Sequence, residues 1–181
     1  MKLLNKLLLV LIGSVALGSG IYMANQNKSV TILAAGGNYP LKGISFKDVK
    51  GTEVSLGQYS GKLVVLNFWA SWCPPCVEEM PELETIYPDL QKINIEMVGI
   101  GIDSPSNIRE FLQNRSFSYP LLIAGAGGSE LATRLGNSGS ALPFTVILDA
   151  KGEIIFKKLG RITGEEILKL ALDYHQKNKK S

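Results

Sequence analysis

Two cysteines, Cys73 and Cys76, lie just behind the apolar run from Leu63 to Ala70 and are the only cysteines in the chain. The run is short and nearly continuous, which is typical of a central strand that is buried on both faces. The residues after Cys73 have helical character, so we expect the pair where a strand passes into a helix. A spacing of two residues lets two thiols close a small disulfide ring when the second lies on the first helical turn. The pattern therefore predicts a reversible dithiol/disulfide pair at the exposed carboxyl end of a strand.

Two other uses of a closely spaced cysteine pair are poorly supported. A zinc site would need further Cys or His ligands to complete a tetrahedron, but there is no third cysteine and the only histidine is His175. A structural disulfide usually joins distant segments, because the stabilisation grows with the loop that is closed. A redox role is therefore favoured over metal binding or a purely structural disulfide.

The amino terminus has the pattern of an export signal. Lys2 and Lys6 precede an uncharged stretch, rich in Leu, Val and Ile, from Leu7 to Ala24. A signal-peptide core is typically ~7–15 apolar residues and a spanning helix needs ~17–25, so the stretch favours an uncleaved anchor. Residues 14–16 (Ser-Val-Ala) resemble a cleavage site, and cleavage there is the alternative. In either case the positive charge before the stretch predicts that the remainder of the chain is exported.

The sequence indicates four consecutive parts. Residues 1–24 are predicted to be the signal anchor or transmembrane segment, residues 25–39 a linker, residues 40–175 one domain and residues 176–181 a basic tail. The formal net charge of +3 is modest. No basic patch is interleaved with aromatic residues, so nucleic-acid binding has little support.

Within the domain, apolar patterning and turn residues predict strands that alternate with helices, followed by a hairpin and a final helix. Pro81 should kink the first helix and Pro88 should end it or nearly so, whereas Glu78 and Glu79 suit the positive end of that helix. The pattern predicts an α/β fold with a mixed sheet. The predicted strands are Leu63–Trp69, Ile95–Ile102, Tyr119–Ile123, Pro143–Leu148 and Glu153–Leu159, and the predicted helices are Pro75–Leu90, Ser106–Asn114, Glu130–Leu135 and Glu165–Tyr174.

The segment from Phe68 to Cys76 resembles the active-site motif of thioredoxin-fold proteins. Pro81 matches the helix-kinking proline of that family, and residues 141–145 (Ala-Leu-Pro-Phe-Thr) resemble the stretch that carries its cis-proline. The span from about Leu41 to Leu172 is similar to the membrane-anchored, exported branch that includes TlpA, ResA and the cytochrome c maturation thioredoxins. The resemblance implies a thioredoxin-like fold: a mixed central sheet flanked by helices, an added strand-helix insertion around residues 104–136 and an N-terminal membrane-anchoring helix.

The resemblance also implies roles for the site residues. Cys73 is expected to be the nucleophile, favoured as a thiolate by the positive end of the helix, and Cys76 is expected to resolve the mixed disulfide. Trp69 and Trp72 are expected to line the site, and Trp72, Leu142 and Pro143 are expected to contact the substrate. An ordinary trans turn proline is the alternative for Pro143.

This chain lacks the acid that thioredoxin uses to deprotonate its second active-site cysteine, which corresponds to Cys76. The position that matches thioredoxin's buried aspartate is Asn67, which cannot act as a general base. ResA-like members instead place an acid after the second central strand, where this chain has Asp103. Asp103 is therefore expected to be catalytic, with a helix cap or turn residue beside Ser104 as the alternative.

The two prolines between the cysteines bear on the redox poise. Pro74 and Pro75 lack amide hydrogens, so Cys76 and Val77 are the nearest backbone donors for a Cys73 sulfur at the helix N-cap. Fewer donors stabilise a thiolate less, which predicts a reductant rather than an oxidant. Because proline before proline resists helical geometry, the helix start could be delayed to Pro75.

The function that the resemblance implies is that of an exported thiol-disulfide oxidoreductase without a cofactor or metal. It would reduce disulfides in periplasmic partner proteins, such as clients of cytochrome c maturation or copper-oxidase assembly. The expected location is the periplasmic face of the bacterial inner membrane, held by a single anchor, or the periplasm if the anchor is cleaved. An oxidising compartment drives dithiols to disulfides, so a membrane electron donor of the DsbD or CcdA type is expected.

Two functions of other classes compete with this interpretation. A copper(I)-binding chaperone could use the same two soft thiolates, although no Met-rich or His-rich segment accompanies them. A thioredoxin-fold peroxidase is disfavoured, because the sequence lacks a Thr-bearing proline loop before a peroxidatic cysteine.

Overall fold

The computed structural model describes residues 39–178, and a seven-stranded sheet is at the centre of these residues. The order across the sheet is β2-β1-β5-β4-β3-β6-β7. Strands β3, β4 and β5 are parallel, whereas β1, β6 and β7 are each antiparallel to their neighbours. The predicted α/β pattern with a mixed sheet is thus observed. The strands are β1 (Ser45–Asp48), β2 (Glu53–Ser55), β3 (Leu63–Trp69), β4 (Ile95–Gly101), β5 (Leu121–Ile123), β6 (Phe144–Leu148) and β7 (Ile154–Leu159).

Four α-helices and one short 3₁₀ helix accompany the sheet in the described residues: α1 (Pro74–Lys92), α2 (Pro105–Phe111), α3 (Gly125–Arg134), α4 (Gly164–Asn178) and the 3₁₀ helix Leu56–Tyr59. Each α-helix overlaps a predicted one, with different ends. Helices α2 and α3, with β5 between them, occupy the region where the insertion was expected. The predicted anchor and most of the predicted linker lie outside the described residues, and residues 39–178 contain no helix with the length and apolarity that a membrane span requires.

Helix α1 continues past Pro88 to Lys92, two residues beyond the predicted end at Leu90. A proline inside a helix removes one backbone hydrogen bond, but most helical stability in proteins comes from packing of the apolar face. Tyr87 and Leu90 are buried in the core on either side of Pro88. Their burial holds the last turn of α1, which then reaches Lys92.

The hairpin of β1 and β2 has no clear signal in the sequence. Both strands are short and only half-buried or exposed, so they lack the continuous apolar run that marks a central strand. The turn between them is held by Asp48, whose carboxylate accepts hydrogen bonds from the amides of Lys50 and Thr52 at 2.9 and 2.8 Å. Asp is common in turns because its side chain can accept hydrogen bonds from backbone amides a few residues further along the chain.

Strand β3 is buried along its whole length and divides the core into two sides. Val65 and Trp69 pack on the side that α1 and α4 cover, and Val64, Leu66 and Phe68 pack on the other side. Because side chains alternate along a strand, Asn67 lies on the same side as Trp69, beneath helix α1.

Candidate active site

The cysteine pair lies at the junction of β3 and α1, as the sequence predicted. Cys73 is the N-cap of α1, and Pro74 is its first residue, so the helix start is not delayed to Pro75. Proline suits the first helical position because no partner exists there for an amide hydrogen. The amides of Cys76 and Val77 both donate to the carbonyl oxygen of Cys73 at 3.1 Å, and no side-chain capping bond reaches the Cys73 sulfur.

Cys73 and Cys76 are joined in a disulfide, with their Cα atoms 5.3 Å apart. Cys73 is 4% exposed and Cys76 is fully buried, so Cys73 is the outer cysteine of the pair. Trp72 is 63% exposed beside them. Trp69, expected to line the site, is instead fully buried and packs on Phe111 of α2, with ring centroids 5.3 Å apart.

The proline loop reaches the same edge of the sheet. The peptide bond between Leu142 and Pro143 is cis, and the next residue, Phe144, is paired with Phe68 of β3. Pro143 therefore lies beside the end of β3, where the chain turns towards the cysteines. Leu142 is half-buried and Pro143 is buried.

A buried side chain holds the loop before that proline. The side-chain amide of Asn137 donates a 2.9 Å hydrogen bond to the carbonyl oxygen of Ala141, and the backbone amide of Asn137 donates to the carbonyl of Ala132 at the same distance. Asn137 thus ties the loop to the end of α3. Its contribution was not predicted from the sequence, because an Asn in a Gly- and Ser-rich stretch is ordinary turn chemistry.

Asp103 follows β4 and binds the loop that carries the cysteines. One carboxylate oxygen accepts hydrogen bonds from the hydroxyl and the amide of Ser71, at 2.5 and 3.3 Å. The other accepts from the amide of Ser104 and the side chain of Asn107, at 2.7 and 2.8 Å. Partial burial acts to raise the pKa of Asp103, but these hydrogen bonds outweigh it and hold the pKa below its ordinary value. Asp103 therefore holds the loop before Cys73, and its predicted action on Cys76 stays a prediction.

A second carboxyl group, that of Glu79, is buried beneath the cysteines. Its side chain is fully shielded from solvent, and its two oxygens accept hydrogen bonds from the side chain of Asn67 at 2.7 Å and the amide of Ile162 at 2.9 Å. Burial raises the pKa of Glu79, although the hydrogen bonds from Ile162 and Asn67 and the charge of Arg161 oppose the rise. Of the two acids, Glu79 is thus the one that keeps its proton to higher pH.

Glu79 was expected near the positive end of α1, but its burial was not predicted. A signal for burial is present in the helical spacing. Cys76, Met80 and Leu83 form a buried stripe of α1, and Glu79 follows Cys76 by three residues, which places the two on the same face. Asn67, a polar residue in an otherwise apolar strand, marks the facing position.

The described residues contain no group of metal ligands that adds to the cysteine pair. Within residues 39–178 no cluster of three or more His, Cys, Asp or Glu side chains is arranged to hold a metal ion. Cys73 and Cys76 are the only thiol ligands in the chain, and in this structure their sulfurs are bonded to each other.

Comparison with known proteins gives concordant results. A family model described as the AhpC/TSA family matches residues 38–157. The chain is 32% identical over 167 residues to the thiol-disulfide oxidoreductase ResA of Geobacillus thermodenitrificans, an alignment that covers 92% of each protein.

Solved structures show the same likeness. StoA of Bacillus subtilis is 25% identical with a TM-score of 0.59, over 70% of this chain and 93% of StoA. A thioredoxin-family thiol:disulfide interchange protein of Chlorobium tepidum is 25% identical with a TM-score of 0.63, over 71% of this chain and 92% of the other.

The chain therefore belongs to the AhpC/TSA family and has the thioredoxin-like fold that its motifs predicted. Its curated relatives are ResA proteins, and like them it is a thiol-disulfide oxidoreductase, with Cys73 and Cys76 at disulfide-bonding distance.

Proposed function

We propose that this enzyme reduces disulfide bonds in exported partner proteins through Cys73 and Cys76. The observation that carries the proposal is the placement of the pair: one slightly exposed cysteine at the start of α1 and one buried cysteine a turn later. The exposed ring of Trp72 and the cis-proline loop lie beside it. This arrangement supports attack by the outer sulfur and resolution by the inner one.

The reaction has two thiol-disulfide exchange steps. In the first, the Cys73 thiolate attacks one sulfur of the client disulfide, forms a mixed disulfide and releases the second client sulfur as a thiolate. In the second, the Cys76 thiolate attacks the Cys73 sulfur and releases the first client sulfur. The client gains two electrons and two protons, and the enzyme is left with the disulfide that this structure contains.

Glu79 is suited to exchange the proton of Cys76. Cys76 and Glu79 are one turn apart on the same face of α1, and both are fully buried. A carboxyl group with a raised pKa can accept a thiol proton and return it near neutral pH more readily than an ionised group of low pKa can. The pKa of Asp103 is lowered by its hydrogen bonds, so we assign proton exchange to Glu79 and loop positioning to Asp103.

The partners follow from the exported setting. An enzyme that reduces clients in an oxidising compartment must itself be reduced, and we propose a membrane donor of the DsbD or CcdA type. The proposed clients are exported proteins whose cysteines must be kept reduced, including those of cytochrome c maturation or copper-oxidase assembly. The resemblance to the exported branch and the ResA names of the relatives support this choice.

Trapping of mixed disulfides tests the proposal. The full-length Cys76→Ser variant, expressed in its native cell, should accumulate covalent complexes that nonreducing gels resolve and mass spectrometry identifies. The matched Cys73→Ser variant should trap none, because the outer nucleophile is missing. Complexes on Cys73→Ser alone would reverse the two roles, and complexes on neither variant would contradict the proposed reaction.

A further inference from the structure

Three consecutive residues after β7 each contact a different part of the active site. The amide of Gly160 donates a 2.8 Å hydrogen bond to the carbonyl oxygen of Pro143, and the amide of Ile162 donates to the buried carboxyl of Glu79 at 2.9 Å. Gly160 has a φ of +87°, a conformation that glycine adopts without strain. The segment 160–162 thus joins the proline loop to the buried acid.

Arg161, between these two contacts, points to helix α1. Its guanidinium bonds the carboxylate of Glu82 and lies 3.7 Å from that of Glu78. Glu78 and Glu82 are four residues apart, on one face of α1. The bridge therefore fixes the segment 160–162 to the helix that carries the cysteines.

The charged and titratable groups around Glu79 come from three elements. Arg161 supplies positive charge from the segment after β7, and Glu82 supplies negative charge from α1. Tyr119, just before β5, is close enough for its pKa to be raised by the charge of Glu79, after the larger effect of burial. Cys76 precedes Glu79 by one turn. Of these groups, Arg161 is the cation that compensates the buried carboxylate.

We propose that Arg161 is a positioning residue that sets the proton affinity of Glu79. It holds the Ile162 amide on the carboxyl group through its bridge to Glu78 and Glu82, and it supplies the positive charge that favours ionisation. Because Arg161 is not placed against the sulfurs, it acts on the reaction through Glu79. The effect on catalysis rests on the proposed proton exchange between Glu79 and Cys76, whereas the effect on Glu79 itself does not.

The expected size of the effect is limited by solvent. The Arg161 side chain is 43% exposed, and ion pairs at such positions are strongly screened. Removal of the Arg161 charge should raise the pKa of Glu79 by about 0.2–0.7 unit. This range corresponds to the free energy that an exposed ion pair typically contributes.

The direct test is a titration of Glu79 in the oxidised full-length chain. Carbon-13 NMR of labelled glutamate carboxyl groups, with the Glu79 signal assigned from Glu79→Gln, should show a higher pKa in Arg161→Gln than in the wild type. Arg161→Lys should restore most of the wild-type value. Arg161→Met, which removes the charge and keeps the aliphatic part of the side chain, should raise the pKa in the same way and serves as the second test if Arg161→Gln does not fold.

Lys158→Gln is the matched control. Lys158 lies in β7, three residues before Arg161, and forms a 2.6 Å ion pair with Glu166; both side chains are about a third exposed. Its loss should leave the Glu79 titration unchanged. An equal shift in Lys158→Gln and Arg161→Gln, or no shift in either Arg161→Gln or Arg161→Met, would overturn the inference.

A kinetic arm separates this inference from the proposed function. In single-turnover reduction of a model disulfide, the pH midpoint of the resolution step should rise in Arg161→Gln by the same amount as the NMR pKa. A shifted pKa with an unshifted midpoint would support the role of Arg161 on Glu79 and contradict proton exchange by Glu79. An unshifted pKa would contradict the role of Arg161, whatever the kinetics show.

Discussion

At the residue scale, Asn67 and Glu79 share a 2.7 Å hydrogen bond on the face of α1 that carries Cys76. The side-chain amide of Asn67 also donates to the hydroxyl of Thr145 at 3.1 Å, while its carbonyl oxygen has no partner among the described residues. A carboxylate accepts the amide hydrogen as seen here. A protonated Glu79 can instead donate a hydrogen bond to the side-chain carbonyl oxygen of Asn67 when the Asn67 side chain is flipped. The pair can therefore accommodate both protonation states of the buried acid.

The raised pKa of Glu79 predicts how stability depends on pH. Burial makes the folded protein hold this proton above the ordinary carboxyl value of 4.5, so the folded state binds more protons than the unfolded state there. The free energy of unfolding should then fall as pH rises above 4.5, by about 1.4 kcal/mol for each unit of pKa shift. Urea unfolding of Glu79→Gln should show a smaller fall. Asp89→Asn, at an exposed position on the same helix, is the control, and parallel curves for Glu79→Gln and the wild type would contradict the prediction.

Asp103 is predicted to act by holding the loop. Asp103→Asn should slow both formation and resolution of the mixed disulfide, because the Ser71 contacts that it weakens order the whole loop before Cys73. Rapid-mixing kinetics on a model disulfide separates the two steps. Ser71→Ala, which removes the partner and keeps the acid, should behave similarly. Slowed resolution alone in Asp103→Asn, with normal kinetics in Ser71→Ala, would instead establish Asp103 as the base for Cys76.

At the scale of elements, the start of α1 and the proline loop converge on one edge of the sheet. Parallel β3 and β4 deliver the cysteine loop and Asp103 to that edge, and antiparallel β6 begins there with Phe144 opposite Phe68. A mixed sheet is needed for this convergence, since only an antiparallel strand can begin where β3 ends.

The start of α1 offers few hydrogen-bond donors to a Cys73 thiolate. The amides of Cys76 and Val77 are directed to the Cys73 carbonyl, and prolines occupy the two positions between the cysteines. Replacing Pro75 by His adds an amide, and a hydrogen bond to a charged group contributes ~1.5–3 kcal/mol. Pro75→His should raise the reduction potential by roughly 30–60 mV, because ~1.4 kcal/mol corresponds to ~30 mV for two electrons. Equilibration against glutathione measures it, and a potential that stays put or falls would contradict the prediction.

The Asn137 contact predicts a defect in client binding. Asn137→Asp replaces the donor to the Ala141 carbonyl with an acceptor and should loosen the loop before Pro143. The KM for a protein disulfide should rise several-fold, while turnover of a small disulfide, which makes no contacts along the loop, should change little. Thr133→Ala, which removes a solvent-exposed hydrogen bond to the Ser129 carbonyl on α3, is the control. Equal losses on both substrates would contradict a role in client binding.

At the scale of the whole molecule, the proposed function requires export, and the sequence favours a tether to the membrane. The uncharged stretch from Leu7 to Ala24, behind Lys2 and Lys6, predicts that the intact protein fractionates with the membrane and that its domain is accessible from outside. Fractionation, protease protection and mass analysis of the amino terminus check this. A soluble product that begins shortly after Ala16 would contradict the tether and leave export in place.

Several features of this protein could be predicted from the sequence because they are local. Strand β3 is predicted by a continuous apolar run. The position of the cysteines follows from the helix that begins directly after that run. The proline loop is recognisable from adjacent residues. Helix ends were less predictable. The sequence predicted the end of α1 at Leu90, close to Pro88, whereas the burial of Tyr87 and Leu90 holds the helix as far as Lys92.

The tertiary structure decided which polar groups meet. Glu79 and Asn67 are both visible in the sequence, but the burial of the carboxyl group depends on the packing of α1 over β3. Its second partner, the amide of Ile162, is 83 residues away in the chain. Apolar patterning specifies which face of an element is buried, and it does so within a few residues. Hydrogen-bond partners on distant segments are specified only once those faces have packed, because burial without a partner is costly for a polar group and the available partners depend on the packing.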